Sequence, residues 1–315
     1  MRLGVAFAWH RHPWEELLAL VREAEALGYD AAFVDGDVSM LDKRREADVL
    51  DGWTVTAALL ALTERISIGS IRVVHHWNAA RLAQAAATAE RLAPGRLLFL
   101  VSIGDRASDA RFGLPQLPPA ERIRWLDEAL GAARRLWRGE SVSVDGRHVQ
   151  LRGARVRPTP PNGRIPVWIA AQRPRMLEVV AEHADGWEIN LPPLPGLVQR
   201  AEAQLEAACR ERGRDPHEIA RSMWIFARVD ESADAARALV EYRRLNPWFG
   251  RIPDEQIAPA LVVGSAERCR ERLAEIAGSL RLELPVIDLS GLEAAATRRC
   301  LEALAPTNYS VDAPT

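Results

Sequence analysis

Eight times along this chain a short run of β-forming residues is followed by an amphipathic helical pattern, and no other feature limits the fold as strongly. "RLGVAFA" precedes Trp14 to Leu27, "AAFVD" precedes Leu50 to Leu62, "ISIGSIRVV" precedes Ala79 to Leu92, and "RLLFLVSI" precedes Ala120 to Trp137. "IPVWIAA" then leads to Pro174 to Ala184, "GWEIN" to Leu197 to Arg212, "MWIFARV" to Ala233 to Arg244, and "LPVIDLS" to Leu292 to Leu304. Right-handed crossovers repeated in this way close a parallel sheet, so the pattern predicts an α/β fold of the (β/α)8 TIM barrel type. The rival, an open doubly wound sheet, lacks its Gly-x-Gly-x-x-Gly fingerprint after the first strand. One domain over 1–315 is expected, with a hairpin insertion near 138–164 turning at Asp145-Gly146. A second insertion near 246–261, "NPWFGRIPDEQ", is expected to act as a lid.

A chain of 315 residues with 48% apolar and 27% charged residues can bury a large core. Its formal net charge of −2, from 41 basic and 43 acidic residues, gives no global attraction to nucleic acid or anionic membrane. No apolar run is long enough to span a bilayer, and "MRLGVAFAWHRHP" is too polar-flanked for a signal peptide, so a cytoplasmic location is expected. Cys209, Cys269 and Cys300 stand in separate helical patterns without a C-x-x-C, which implies neither a disulfide framework nor a zinc site.

In a barrel of this type the chemistry belongs at the C-terminal ends of the strands. There "VDGD" sets Asp35 and Asp37 around Gly36, suited to a base or to hydrogen bonds with a ring edge, although such aspartates also cap helices and form turns. "VVHHWN" brings His75, His76 and Trp77 to the rim, where an imidazole can donate a proton and an indole can form a stacking wall. Adjacent histidines on a strand point to opposite faces and no third ligand is spaced to join them, so no metal site is expected. "IAAQRPRM" joins a buried strand through small residues to a helix start, an arrangement that can hold an anion on backbone amides or serve as a plain connection.

"IPVWIAAQRPRMLEVVAEHADGWEIN", "APGRLLFLVSIGDRASDARFG" and "LWRGESVSVDGRHVQLRGARV" together resemble the luciferase-like flavin and deazaflavin oxidoreductases, nearest to the branch containing methylenetetrahydromethanopterin reductase. The resemblance runs from Met1 to Asn190 and resumes at "LVVGSAERCRERLAEIA". It implies a homodimeric barrel that binds coenzyme F420 or FMN at the C-terminal end of its strands and acts on a small molecule. On this basis Ser102, Gly104 and Asp105 match the glycine-rich fourth-strand turn, with Leu100 and Ser102 where glycines are usual. Ala171, Gln172 and Arg173 match the phosphate-side turn, and Asn190 faces the substrate or ends its strand. Ile71 and Arg72 align with a bulge holding a non-prolyl cis peptide against the coenzyme ring. The chain departs from the family at Asp35, Gly36 and Asp37, where Ser/Thr-Asp-His is usual, and at "HHWNAA", where an Arg and a Pro are missing. The altered pocket offers Asp35, Asp37, His75 and His76 as catalytic candidates, with Trp77, His10 and His12 around them. Three readings follow: an F420-dependent oxidoreductase transferring hydride to or from a C=N or C=C bond of a small heterocycle; an FMN-dependent two-component monooxygenase served by a separate coenzyme reductase; or a catalytically silent cofactor-binding paralogue.

Overall fold

The computed structural model describes residues 1–7, 12–34, 50–104, 109–231 and 235–309. Its main sheet is a closed parallel barrel. The strands are β1 (Gly4–Ala6), β2 (Ala31–Phe33), β3 (Ser67–Val73), β4 (Leu97–Ser102), β7 (Val167–Ala171), β8 (Gly186–Ile189), β9 (Ala220–Val229) and β11 (Leu284–Asp288). They pair in that order around the ring, β11 closing onto β1 and β8 onto β9. A further short strand, β10 (Val262–Gly264), extends from the C-terminal end of β9, Val262 lying beside Ala227. β5 (Val142–Asp145) and β6 (Gln150–Ala154) form a separate antiparallel hairpin within the expected insertion, their turn closed by Gly146 N donating to Val149 O at 3.0 Å.

The helices are α1 (Trp14–Ala26), α2 (Gly52–Leu62), α3 (Ala79–Leu92), α4 (Pro119–Trp137), α5 (Pro174–His183), α6 (Pro195–Glu211), α7 (Ala235–Leu245), α8 (Ala266–Ser279) and α9 (Ala294–Ala303). Their starts follow local chemistry: Asp51, Asn78 and Ser265 cap α2, α3 and α8 with side-chain oxygens, while Pro begins α4, α5 and α6, where a missing N–H costs nothing. Sequence periodicity missed β10 and α8 as a strand–helix unit, because "LVVG" is too short to stand out.

The strand period sorts side chains into two cores. Ile68, Phe99, Val101, Ile169, Trp187, Ile225 and Ile287 pack outward against the helices. Ala6, Ala31, Phe33, Leu100, Ala170, Leu284 and Val286 fill the barrel. A third cluster joins Phe226 of β9 to Tyr242 and Leu245 of α7 and to Phe249 and Ile257 of the 246–261 insertion, which therefore has an apolar footing beside β9. No described helix is long and apolar enough to cross a membrane. The three cysteines are buried and free.

Candidate active site

Parallel register puts the C-terminal ends of all the barrel strands at one rim, so residues far apart in sequence converge there. Ile71, Ser102, Ala171 and Asn190 lie at or next to those ends. Ala8, His10, Asp35, Asp37 and Asp105 lie outside the described residues.

At the end of β4, Gly104 adopts φ +56°, and a Cβ there would come within 2.9 Å of Val73 on β3. Only glycine fits this turn without strain, which explains why it is kept. Ser102 Oγ accepts from the Gly104 amide at 3.2 Å, and Arg122 of α4, itself buried, donates to the Ile103 carbonyl at 2.6 Å and to the Gly104 carbonyl. Leu100, standing where a glycine is usual, instead fills the barrel interior.

The β3 end differs from expectation. The chain leaves the strand at Val73, and Val74–His76 is a 3-10 turn, in which neighbouring side chains stand roughly 120° apart. Strand alternation therefore does not separate the two imidazoles: their rings meet edge to face at 4.4 Å. His75 is buried toward Trp125 of α4, at 6.4 Å, and Trp125 stacks on His148 of the hairpin at 5.1 Å. Trp77 packs against Trp53 at 6.4 Å, and Asn78 turns away to cap α3. The expected cis peptide at Ile71-Arg72 is not there; the cis peptide among the described residues is Arg157-Pro158, and β3 keeps regular register with β4 through Ile71 and Arg72. Ile71 faces the barrel interior, whereas Arg72 lies on the opposite face with its guanidinium over Trp53 at 5.2 Å and donating to Ser70. His12, just before α1, is buried with its Nδ1 2.9 Å from Glu16.

At the end of β7, Ala171 is buried while Gln172 is half-buried and Arg173 exposed. The Ala171 carbonyl accepts from Trp187 Nε1 at 3.0 Å and from Asn190 N at 3.4 Å, tying β7 to the end of β8. Arg173 begins α5 without a side-chain cap, and the amides of Met176 and Leu177 both bond back to its carbonyl. Pro174, at the first turn of α5, has no N–H to donate.

Sequence reasoning missed two acids on the barrel's inner wall. Glu188 of β8 and Asp288 of β11 are both buried, and burial raises both above the ordinary carboxylate range, Glu188 to about 7. The Ser222 hydroxyl donates to Glu188, and Asp288 accepts from the amide and hydroxyl of Ser290. An acid at an inward position of a strand run, as in "GWEIN" and "LPVIDLS", was the available signal. Ile71, Leu98, Trp168 and Trp224 also face inward and are only partly buried. A cleft of about 660 Å³ elsewhere, between α4 and α5, lies in the helix layer, where Asp127 pairs with His183 at 2.7 Å and Glu182 with Arg212 at 3.0 Å.

A family model described as luciferase-like monooxygenase matches residues 1–249. The phthiodiolone/phenolphthiodiolone dimycocerosates ketoreductase of Mycobacterium tuberculosis is 31% identical over 204 residues, covering 63% of this chain and 50% of that protein. The chain thus spans about half the length of the first curated relatives it matches. The 5,10-methylenetetrahydromethanopterin reductase of Archaeoglobus fulgidus is 28% identical over 238 residues, covering 75% of this chain and 67% of that one. Among solved structures, an F420-dependent secondary alcohol dehydrogenase in complex with an F420-acetone adduct superposes with a TM-score of 0.82 at 18% identity, covering 96% of this chain and 98% of the other.

Proposed function

The chain belongs to the luciferase-like monooxygenase family, and on that premise we propose that it is an F420-dependent oxidoreductase moving hydride between the deazaflavin and a C=N or C=C bond of a small heterocyclic substrate. The observation that carries this reading is the 28% identity to a methylenetetrahydromethanopterin reductase along three quarters of the chain. Two features of the rim support it: Gly104 makes a left-handed turn close over Val73 that a side chain would block, and half-buried Ile71 faces inward. Bound there, the coenzyme would supply the hydride.

What the chain contributes is positioning, water exclusion and a proton. Ile71, Ser102, Gly104 and Asp105 are proposed on the ring side, whereas the Arg72 side chain, over Trp53 on the outer face, is not. Ala171, Gln172 and Arg173 are proposed on the phosphate side, with Arg173 free to swing toward an anion, and Asn190 toward the substrate. Asp35 and Asp37 are the proposed proton carriers, followed by His75 and His76, of which His76 is the more exposed. A homodimer is part of the same reading. α2, "GWTVTAALLAL", is apolar on every side and leaves Ala61 and Leu62 exposed, as suits a helix covered by a second subunit.

The family's monooxygenase members support a second reading, an FMN-dependent enzyme supplied by a separate reductase. Equilibrium titration with coenzyme F420 and with FMN, followed by a single-turnover screen of imines and enones with pre-reduced coenzyme, separates the two. Tight F420 binding with reoxidation by at least one acceptor is the expected result. Preference for FMN with oxygen consumption supports the monooxygenase, and tight binding with no turnover of any acceptor supports a silent paralogue.

A further inference from the structure

Charge runs to one sign on the hairpin segment between α4 and β7. Residues 138–164 hold six arginines against two acids, Glu140 and Asp145, in a chain whose formal net charge is −2. The acids at its base and turn are already engaged or stand apart. Glu140 takes Arg135 at 2.9 Å and Arg138 at 2.8 Å, Glu121 of α4 takes Arg147 at 2.8 Å, and Asp145 is exposed at the turn end of β5. Arg152, Arg155 and Arg157 form no ion pair among the described residues.

These three arginines share a face because β6 is bulged. Val144 pairs with Leu151 and Val142 with Ala154, so Arg152 and Gly153 together lie opposite Ser143. Gly153 takes φ +60°, and its amide donates to Ser143 Oγ at 3.0 Å. The extra residue shifts the alternation by one: Leu151, Ala154 and Val156 pack toward the core, while Arg152, Arg155 and Arg157 are exposed. Plain alternation from Leu151 would have turned Arg155 inward. Arg91 of α3 extends the row, its Nε donating to Thr159 O at 2.8 Å just past Arg157. Exposed Ser141 and Ser143 stand on the opposite arm.

Charges and a bulge also keep a free sheet edge from pairing with another strand, and β6 has no described strand on its other edge. Either sign of charge serves that purpose, so it does not account for a row without acids. Unpaired guanidinium groups match carboxylates, which they bind two-pronged. Two other anionic partners suit the face less. Single-stranded nucleic acid is held by stacking its bases as well as by charge, and residues 138–164 contain no Phe, Trp or Tyr, while His148 is turned onto Trp125. A bilayer is held by apolar side chains that enter it, and the large exposed apolar residues, Met1, Leu62, Leu92, Phe112 and Val240, all lie outside the hairpin.

We propose that the outer face of the β5–β6 hairpin docks an acidic segment of a partner protein, whose carboxylates pair with Arg152, Arg155 and Arg157. The inner face of the same hairpin bears through His148 and Trp125 on His75, so the partner is held on the element that braces the β3 turn. Docking here does not depend on which coenzyme the barrel binds.

The probe is a dye-labelled peptide of alternating Glu and Thr, titrated with the full chain at low salt and followed by fluorescence anisotropy. Binding should weaken as salt rises, and the matching peptide of Gln and Thr should not bind. Arg155→Ser should cost about twofold to fivefold in affinity, and the triple variant Arg152→Ser, Arg155→Ser, Arg157→Ser at least about tenfold. Both variants should keep the circular dichroism and melting temperature of the wild type, since these side chains form no ion pair within the fold. Arg210→Ser, exposed on α6, should leave binding unchanged. No binding of the Glu peptide, unchanged affinity in the triple variant, or an equal loss in Arg210→Ser overturns docking at the hairpin. Oligothymidylate or phosphatidylserine vesicles that bind more tightly than the Glu peptide through the same arginines overturn the assignment to an acidic protein segment.

Discussion

Glu188 links one buried proton to the stability of the whole barrel. Its ordinary value of 4.5 is lifted to about 7, so between these the folded chain holds a proton that the unfolded chain releases. Stability should therefore be unaffected by this group below about pH 4.5 and decline as pH rises toward 7, by up to about 3 kcal/mol. Glu188→Gln removes the titration, so its melting temperature relative to wild type should improve from pH 5 to pH 8; an equal offset at both values would show that burial does not lift the acid. Gly104→Ala should cost about 1–3 kcal/mol by urea denaturation, since it adds both a left-handed penalty and a contact with Val73. For the proposed proton carriers, Asp35→Asn or Asp37→Asn should slow the chemical step by about one to four decades and leave coenzyme affinity within about threefold. Unchanged single-turnover rates in both variants would pass the role to His75 or His76.

The β5–β6 hairpin shows how an element is held by the helix that precedes it in sequence. Glu128 of α4 accepts from the amides of Arg147, His148 and Val149 at 3.1, 2.9 and 2.9 Å, which caps the hairpin turn in the way a side chain caps a helix. His148 stacks on Trp125 and bonds Glu121 at 2.7 Å, and a Cβ at Gly146 would press on Glu128 at 2.5 Å. Because Trp125 also meets His75, the hairpin braces the turn at the end of β3 from outside the barrel. Glu128→Ala should speed amide hydrogen exchange across 142–154 while the barrel strands keep their protection, with about 1–3 kcal/mol lost from the hairpin's local stability. Exchange that accelerates equally in β3 and β4 would instead place the hairpin inside the main folding unit.

At the scale of the whole molecule, a dimer through α2 predicts that wild type sediments as a dimer and that Ala61→Glu shifts it toward monomer without changing its circular dichroism; a monomeric wild type would end that proposal. The architecture itself was legible in the sequence, because alternation of strand and helix patterns is a local property that the neighbouring residues carry. Gly104 was singled out by its match to the family's fourth-strand turn, and its left-handed conformation gives the physical reason a glycine stands there. The positions of His75, Arg72 and Glu188 were not legible. His75 and His76 share a side because the chain leaves β3 one residue earlier than strand alternation assumes. Arg72 turns outward because the strand period sets it opposite Ile71, with Trp53 of α2 waiting there. Glu188 meets Ser222 and the Trp224 amide only because β8 and β9 pair in that register, Glu188 beside Ser222. Periodicity along one segment fixes which elements form and how often they recur, but the partner of each side chain is set by register and closure between segments, and these are decided when the barrel closes.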